Sequence, residues 1–218
     1  LRVGCFDPLC GNPTVSAVFS IFLQLCPNAD LQVDFHSFRT LREQLSANEV
    51  DLIITKDFEV NVILDEVHQP LLSSEPVVAV DAQHHLSGRK SLSIQELNGC
   101  SFITISPAES LGAYNQLFSC CNAGDFPPSI ERYVDNYQAL YFYLALEHHT
   151  AVLDRCDVLN APGCIRAIPL EGFAPISTVA AWKPDNLNPC LGFFRQALKI
   201  LAAAELKAPP CMSGREEL

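Results

Sequence analysis

Positive charge is scarce in this chain of 218 residues, which has 14 Lys and Arg against 25 Asp and Glu and a net charge of −11. Because contact with phosphates requires an excess of Lys and Arg, this balance argues against nucleic-acid binding by the chain itself. Long apolar runs are lacking as well: no stretch approaches the roughly 18 residues of a membrane span. No charged segment followed by an apolar one opens the chain as in a signal peptide. We therefore expect a cytoplasmic protein with no membrane contact.

Catalytic and metal-binding patterns are also missing from the sequence. There is no Gly-x-Ser-x-Gly elbow, no His-Glu-x-x-His, no phosphate-binding glycine loop and no Cys-x-x-Cys pair. The pair His148-His149 beside Glu147 is the nearest approach to a metal cluster. Neighbouring side chains on a helix diverge by ~100°, which disfavours joint ligation. The sequence predicts a protein that is not an enzyme and uses no cofactor or metal.

Ten cysteines are spread over a chain that is 49% hydrophobic. Several of them, such as Cys5, Cys26 and Cys121, occupy positions where a small hydrophobic residue is expected. Disulfide scaffolds are usually short and loop-rich, so we interpret these residues as reduced thiols of a cytosolic core. The vicinal pair Cys120-Cys121 leaves a redox role open.

Strand and helix patterns alternate along the chain, which predicts an α/β fold. Asn12-Pro13 marks a helix start, and Asp51-Leu52-Ile53-Ile54-Thr55 is the nearly continuous apolar run of a strand buried on both faces. A βαβαβ order occurs twice before the chain turns back. The predicted strands lie at residues 1–6, 31–35, 51–55, 77–80, 101–105, 130–134, 151–153, 165–169 and 176–182, and the predicted helices at 13–26, 38–45, 93–97, 111–122, 137–144 and 189–201.

An ordered set of short motifs over roughly residues 1 to 205 resembles the effector-binding domain of LysR-type transcriptional regulators. Each motif is weak alone, but their order is fairly specific. They are Leu1-Arg2-Val3-Gly4, Leu41-Arg42-Glu43-Gln44-Leu45 leading to Glu49-Val50-Asp51-Leu52-Ile53-Ile54, Glu75-Pro76-Val77-Val78-Ala79-Val80, His84-His85-Leu86, and Leu92 to Leu97 followed by Phe102-Ile103. The chain departs from the family at residues 147–151, where a glycine-containing turn is expected, and at Asp7, where a hydroxyl-bearing residue is expected.

The resemblance implies the fold of type II periplasmic binding proteins, with two Rossmann-like α/β lobes joined by two crossing hinge strands. Lobe I is expected at residues 1–79 plus 178–218 and lobe II at residues 80–177. The expected function is ligand sensing: a small-molecule effector binds between the lobes, and DNA is bound only by an N-terminal winged helix-turn-helix that is absent from this chain. A solute-binding protein of a transporter has the same fold and is the alternative.

The ligand is expected at the carboxyl ends of the strands, where helix N-termini present free backbone N–H groups. Hydroxyl groups there would orient a polar ligand, and Lys56 offers a cation. Ser37 and Asn136 also suit the role of helix caps alone. Asp7 and Glu109 would repel an acid, so either they point away or the ligand carries an amine. The predicted ligand-binding residues are Asp7, Leu9, Cys10, His36, Ser37, Phe38, Thr55, Lys56, Thr104, Ser106, Ser110, Asp135 and Asn136.

The helices at residues 13–26 and 111–122 contain no charged side chain. A helix exposed to solvent normally has a charged outer face, so these two are predicted to be covered nearly all round. In the LysR family the corresponding elements meet across an antiparallel two-fold dimer, which implies a homodimer here. The alternative is that other parts of the same chain cover both helices.

Overall fold

Two five-stranded sheets organise the chain. The computed structural model describes residues 1–60 and 67–205. The strands are β1 Arg2–Phe6, β2 Gln32–His36, β3 Leu52–Lys56, β4 Val67–Ser74, β5 Pro76–Asp81, β6 Ser101–Ile105, β7 Ser129–Val134, β8 Thr150–Asp154, β9 Ile165–Pro169 and β10 Ile176–Trp182. The helices are α1 Pro13–Leu25, α2 Phe38–Ser46, α3 Asp57–Val60, α4 Leu111–Ala123, α5 Tyr137–Glu147 and α6 Cys190–Glu205, with 3-10 turns at Asp7–Leu9 and Ile94–Leu97.

Each sheet combines parallel and antiparallel strands. The first has the order β2-β1-β3-β10-β4, in which β1 is parallel to β2 and β3, and β10 runs antiparallel to β3 and β4. The second has the order β7-β6-β8-β5-β9, in which β6 is parallel to β7 and β8, and β5 is antiparallel to β8 and β9. The predicted two-lobed α/β class is confirmed.

Within the described residues, the chain crosses between the sheets twice. Strand β4 ends at Ser74 in the first sheet, and β5 begins at Pro76 in the second. The return crossing lies between β9 and β10. The lobe limits expected from the sequence, 79/80 and 177/178, fall inside β5 and β10, each of which pairs with a single sheet throughout. Residues 206–218, which we assigned to lobe I, lie outside the described residues.

Strand β4 is the main element that the sequence did not predict. Its residues Val67–Ser74 show an irregular burial pattern and include Pro70. Among the described strands it forms the edge of the first sheet and pairs only with β10, with a register shift at Thr178/Val179. Proline is tolerated at such an edge because one side of the strand needs no N–H donors. An edge strand of this kind lacks the apolar alternation that reveals a buried strand.

The turn after α5 has no glycine, and the structure accommodates this by placing His148 in the left-handed region at φ 54°. Glycine is the usual residue at a left-handed helix end because it has no Cβ. The backbone of this turn therefore keeps the common helix-ending geometry with a residue that adopts it less readily.

Close approach of the two lobes depends on one glycine in α4. A Cβ atom added to Gly112 would lie 2.5 Å from the ring of Phe58 and 3.0 Å from its carbonyl oxygen. Phe58 belongs to α3, which directly follows β3 of the first sheet, whereas α4 packs on the second sheet. The absent side chain lets these two helices touch and brings the helix ends of both lobes to one place.

No helix within residues 1–60 and 67–205 combines the length and apolar character needed to cross a bilayer.

Candidate functional site

A cleft of about 830 Å³ opens between the lobes. Its first wall is the segment that follows β1, its second wall is one face of α5, and its floor is the connection from β8 to β9. Its lining residues are Asp7, Pro8, Cys10, Gly11, Tyr137, Gln138, Tyr141, Phe142, Ala145, Leu146, Asp157, Asn160, Pro162 and Cys164. Most of this surface is apolar, so the cleft suits a small organic molecule better than an ion.

The predicted hydroxyl groups lie beside this cleft, in much smaller spaces. A gap of about 10 Å³ is bounded by Ser37, Asp135 and Asn136, among others, and a cavity of about 20 Å³ is bounded by Thr104. About one water fits a space of this size. Phe6 and Phe38 stack at 3.9 Å between ring centroids at the edge of the gap and keep it narrow.

Several of the predicted residues cap helices. Asn136 Oδ1 accepts from the Ala139 N–H at 2.8 Å, and Ser110 Oγ accepts from the Ala113 N–H at 2.9 Å. Ser37 holds the same position at the start of α2. The capping role is therefore sufficient to explain why Ser37, Ser110 and Asn136 have these side chains.

The other predicted residues divide between exposed and buried positions. Asp7 and Cys10 line the large cleft. Ser106 Oγ donates to Asp135 at 2.8 Å, and His36 Nε2 lies 3.2 Å from the Gln44 amide nitrogen. The side chains turned into the interior are those of Leu9, Phe38, Thr55 and Lys56.

Lys56 is the centre of a buried ion cluster between the lobes. It ends β3 of the first sheet and is 1% exposed. Its ammonium pairs with Asp154 of the second sheet, and Asp157 Oδ1 lies 2.9 Å from Lys56 Nζ. The hydroxyl of Tyr137 donates to the other Asp157 oxygen at 3.2 Å. The sequence predicts Lys56 as a cation for a ligand, but in the structure its ammonium is paired with two carboxylates.

The charges in this cluster shift one another's pKa. Burial alone would lower the pKa of Lys56, but Asp157 and Asp154 outweigh it and raise the pKa above its ordinary value. Burial raises the pKa of Asp157 to about 7; the Lys56 charge opposes this increase, and Asp154 reinforces it. Two carboxylates sharing one ammonium leave the cluster one positive charge short of neutrality, and Asp157 therefore holds a proton at higher pH than an ordinary aspartate.

This pKa predicts a pH dependence of stability. The folded state raises the pKa of Asp157 from about 3.9 in an unfolded chain to about 7. Folded protein therefore binds a proton that unfolded protein has lost, and this group's contribution to stability falls as pH rises between those two values. Urea unfolding at pH 5 and pH 7.5 should show that the free energy of unfolding decreases less between these pH values in Asp157→Asn than in the parent chain. The exposed Asp125→Asn is the control, and an unchanged pH profile in Asp157→Asn would contradict the assignment.

A second set of ionic contacts joins α2 of the first sheet to the start of α4. Arg42 pairs with Glu59, and its other nitrogen donates to the Glu109 carbonyl oxygen at 2.9 Å. Ser110 also donates to Glu59. Burial raises the pKa of Glu59, while Ser110 and Arg42 lower it. These contacts link α2 and α3 of the first lobe to the start of α4 in the second lobe.

The sequence profile of the LysR substrate binding domain family matches residues 1–202. The chain belongs to this family. A search of the curated proteins finds no match.

Solved structures similar to this LysR domain include two regulatory domains with bound molecules and a LysR family regulator. The effector-binding domain of QuiR in complex with shikimate is 19% identical, with a TM-score of 0.77, over 93% of this chain and 97% of that one. The regulatory domain of CcmR from Synechocystis in complex with 2-PG is 18% identical, with a TM-score of 0.72, over 94% and 96%. The LysR family regulator CbnR is 13% identical, with a TM-score of 0.76, over 93% of this chain and 69% of that one. At these identities the likeness establishes the fold.

The residues that build the large cleft of this LysR domain were largely missed by sequence reasoning. Tyr141 belongs to the predicted apolar stripe of α5, and an apolar stripe does not distinguish a helix face in the core from one that lines a cleft. The connection from β8 to β9, which includes Asp157, has no periodic pattern. A buried acid in a loop near a buried Lys has no local sequence signal.

Proposed function

We propose that this LysR domain senses a small-molecule effector that binds in the cleft between its lobes. The main support for this proposal is the cleft, whose volume of about 830 Å³ falls within the usual range of ligand-site volumes, about 300–1,000 Å³. The QuiR and CcmR domains of the same fold were each solved with a small molecule, shikimate and 2-PG. The matches give no support to the transporter alternative.

The proposal extends to the whole regulator. DNA binding belongs to a separate winged helix-turn-helix domain, as supported by the net charge of −11 in this chain and by the CbnR regulator solved with its target DNA. The chain itself catalyses no reaction and works in the cytoplasm. Among the described residues no three His, Cys, Asp or Glu side chains converge in a way that would hold a metal ion.

The predicted ligand-binding residues remain part of the proposal. They differ in the size of the space that each of them borders. Asp7 and Cys10 line the cleft that has room for an effector. Ser37, Thr104, Asp135 and Asn136 border spaces of about 10 to 20 Å³ beside it, where contact with a ligand requires the lobes to open.

Filling the cleft provides a test of effector binding. Ala145 of α5 lines the cleft, and we expect Ala145→Trp to abolish binding by occupying the space of the ligand. Small metabolites are screened for an increase in Tm of the parent chain; a ligand at 100 times its Kd adds about 2.7 kcal/mol of stability, or several degrees. The exposed Ala203→Trp is the matched control. Stabilising ligands that act equally on Ala145→Trp would contradict binding in this cleft.

We also propose that the domain forms a two-fold homodimer through α1 and α4. In α1, Val15, Val18 and Phe22 are buried in the chain's own core, while Leu23 is 41% exposed on a face without charge. In α4, Leu117 is buried and Leu111 is 47% exposed. The described part of the chain thus covers one side of each helix and leaves an uncharged side open on each, which supports contact with a second copy.

A further inference from the structure

Among the described residues, the lining of the large cleft contains acidic side chains but no basic ones. The only acidic residues among its lining residues in the described chain are Asp7 and Asp157, and the lining includes no Lys, Arg or His. Asp157 is buried, with one carboxylate oxygen beside Lys56 and the other accepting from the Tyr137 hydroxyl, so neither oxygen is free for a ligand. Asp7 is therefore the carboxylate available to a molecule in the cleft.

Two acidic residues and one histidine lie near Asp7. No side chain of the described residues donates a hydrogen bond to its carboxylate or forms an ion pair with it, although the residue is half-buried. Burial raises the pKa of Asp7; His36 opposes this effect, and Glu109 adds to it. Asp135 borders the same narrow gap. A positive charge placed here would relieve both the desolvation and the repulsion of the Asp7 carboxylate.

The other acid singled out in the sequence is compensated from the opposite lobe. Glu109 is 3% exposed; its Oε1 accepts from the Arg39 backbone N–H at 2.9 Å, and its Oε2 lies 3.6 Å from the Arg39 guanidinium. Of the two acids, Glu109 thus faces α2, and Asp7 faces the cleft. The sequence left open whether both point away or the ligand carries an amine, and this geometry favours the amine.

The wall opposite Asp7 is apolar and aromatic. Tyr137 and Tyr141 present their rings from α5, with their hydroxyls bound to Asp157 on the far side from solvent. Phe142 and Leu146 are each 60% exposed on the same helix. Exposed apolar groups of this size beside a cavity are a feature of binding surfaces. Aromatic rings also attract a cation placed over their faces.

We propose that the effector is an amphipathic amine, whose protonated amino group pairs with Asp7 and whose aromatic or alkyl body packs against α5. This inference rests on the proposed function of the cleft as the effector site. The ammonium supplies the charge that Asp7 lacks, and a charge-assisted bond of this kind is stronger in a partly buried site than in water. An acid of the same shape would place its carboxylate beside Asp7 and is disfavoured.

Two matched probes test the inference: 3-phenylpropylamine and 3-phenylpropionate, which share one apolar body and differ in the sign of charge. Calorimetric titration of the chain at pH 7 should show binding of the amine and at least tenfold weaker binding of the acid. Asp7→Asn should weaken amine binding about tenfold or more, because it removes a charged partner. Asp125→Asn, an exposed acid outside the cleft lining, should leave amine binding unchanged.

The outcomes separate the two proposals. Preferential amine binding that is lost in both Asp7→Asn and Ala145→Trp supports both. Binding of the acid that equals or exceeds binding of the amine, and that is lost in Ala145→Trp, overturns the amine inference and leaves the effector cleft standing. Failure of both probes to bind overturns the amine inference, and the metabolite screen with Ala145→Trp then decides the proposed function separately.

Discussion

Replacement of Lys56 by Met is expected to lower the free energy of unfolding by about 3–5 kcal/mol at pH 7, because removing one partner of a buried ion pair leaves its partners uncompensated. The ammonium is 1% exposed and compensates both Asp154 and Asp157. Methionine keeps the length and the apolar part of the side chain, so lost packing contributes little. Urea unfolding monitored by circular dichroism measures the change, and the exposed Lys90→Met is the control for a lysine replaced at the surface.

Two further measurements test whether uncompensated carboxylates cause the loss of stability in Lys56→Met: its pH dependence and its rescue by removal of the carboxylates. Lowering the pH to 5 should recover part of the stability of Lys56→Met, because the two buried carboxylates then take up protons. A triple variant, Lys56→Met with Asp154→Asn and Asp157→Asn, should be more stable at pH 7 than Lys56→Met alone. If Lys56→Met were no less stable than Lys90→Met, the ion cluster would not hold the lobes together.

The second large effect concerns self-association. Leu23→Glu in α1 and Leu111→Glu in α4 should each convert a dimer into a folded monomer, since each places a charge in a contact from which water is excluded. Both leucines are more than two-fifths exposed, so glutamate is tolerated by the chain's own core. We expect the dimer Kd to increase at least 100-fold, as burial of an unpaired charge costs about 3 kcal/mol or more.

Sedimentation velocity over a range of micromolar concentrations measures this change. Leu187→Glu, at a position 94% exposed outside any helix, is the matched control and should remain dimeric. Circular dichroism confirms that the variants stay folded. A parent chain that is monomeric at the highest concentration, or variants that still dimerise, would show that these helix faces are not the interface.

Much of the fold was predictable because local patterns report local structure. The run Leu52–Lys56 is buried at every position and reads as a strand covered on both faces. Asn12 marks a helix start by its side-chain chemistry, and it takes the predicted capping position before α1. Strand β4 escaped because an edge strand with Pro70 has no regular apolar alternation. The short helix α3 and the 3-10 turn Asp7–Leu9 escaped because each has too few residues to show a period.

The candidate site was predictable only in part. The rule that ligands lie at the carboxyl ends of strands led to Asp7 and Cys10, which do line the large cleft. The same rule led to Lys56, whose ammonium is turned to Asp154 and Asp157 from the other lobe. Nothing in the sequence near Lys56 signals those partners, which lie about a hundred positions further along the chain.

The sequence by itself determined that strands and helices alternate and that the net charge is −11, because periodicity, caps and composition depend only on neighbouring residues. The order of its short motifs carried the resemblance to the LysR family, and the match over residues 1–202 confirms it. Only the tertiary structure decided which acids have a cationic partner: Asp154 and Asp157 share Lys56, Glu109 lies beside Arg39, and Asp7 pairs with no side chain of the described residues. The reason is physical. The charge that a ligand meets depends on which side chains the folded lobes bring within a few ångströms, and that distance has no counterpart in sequence separation.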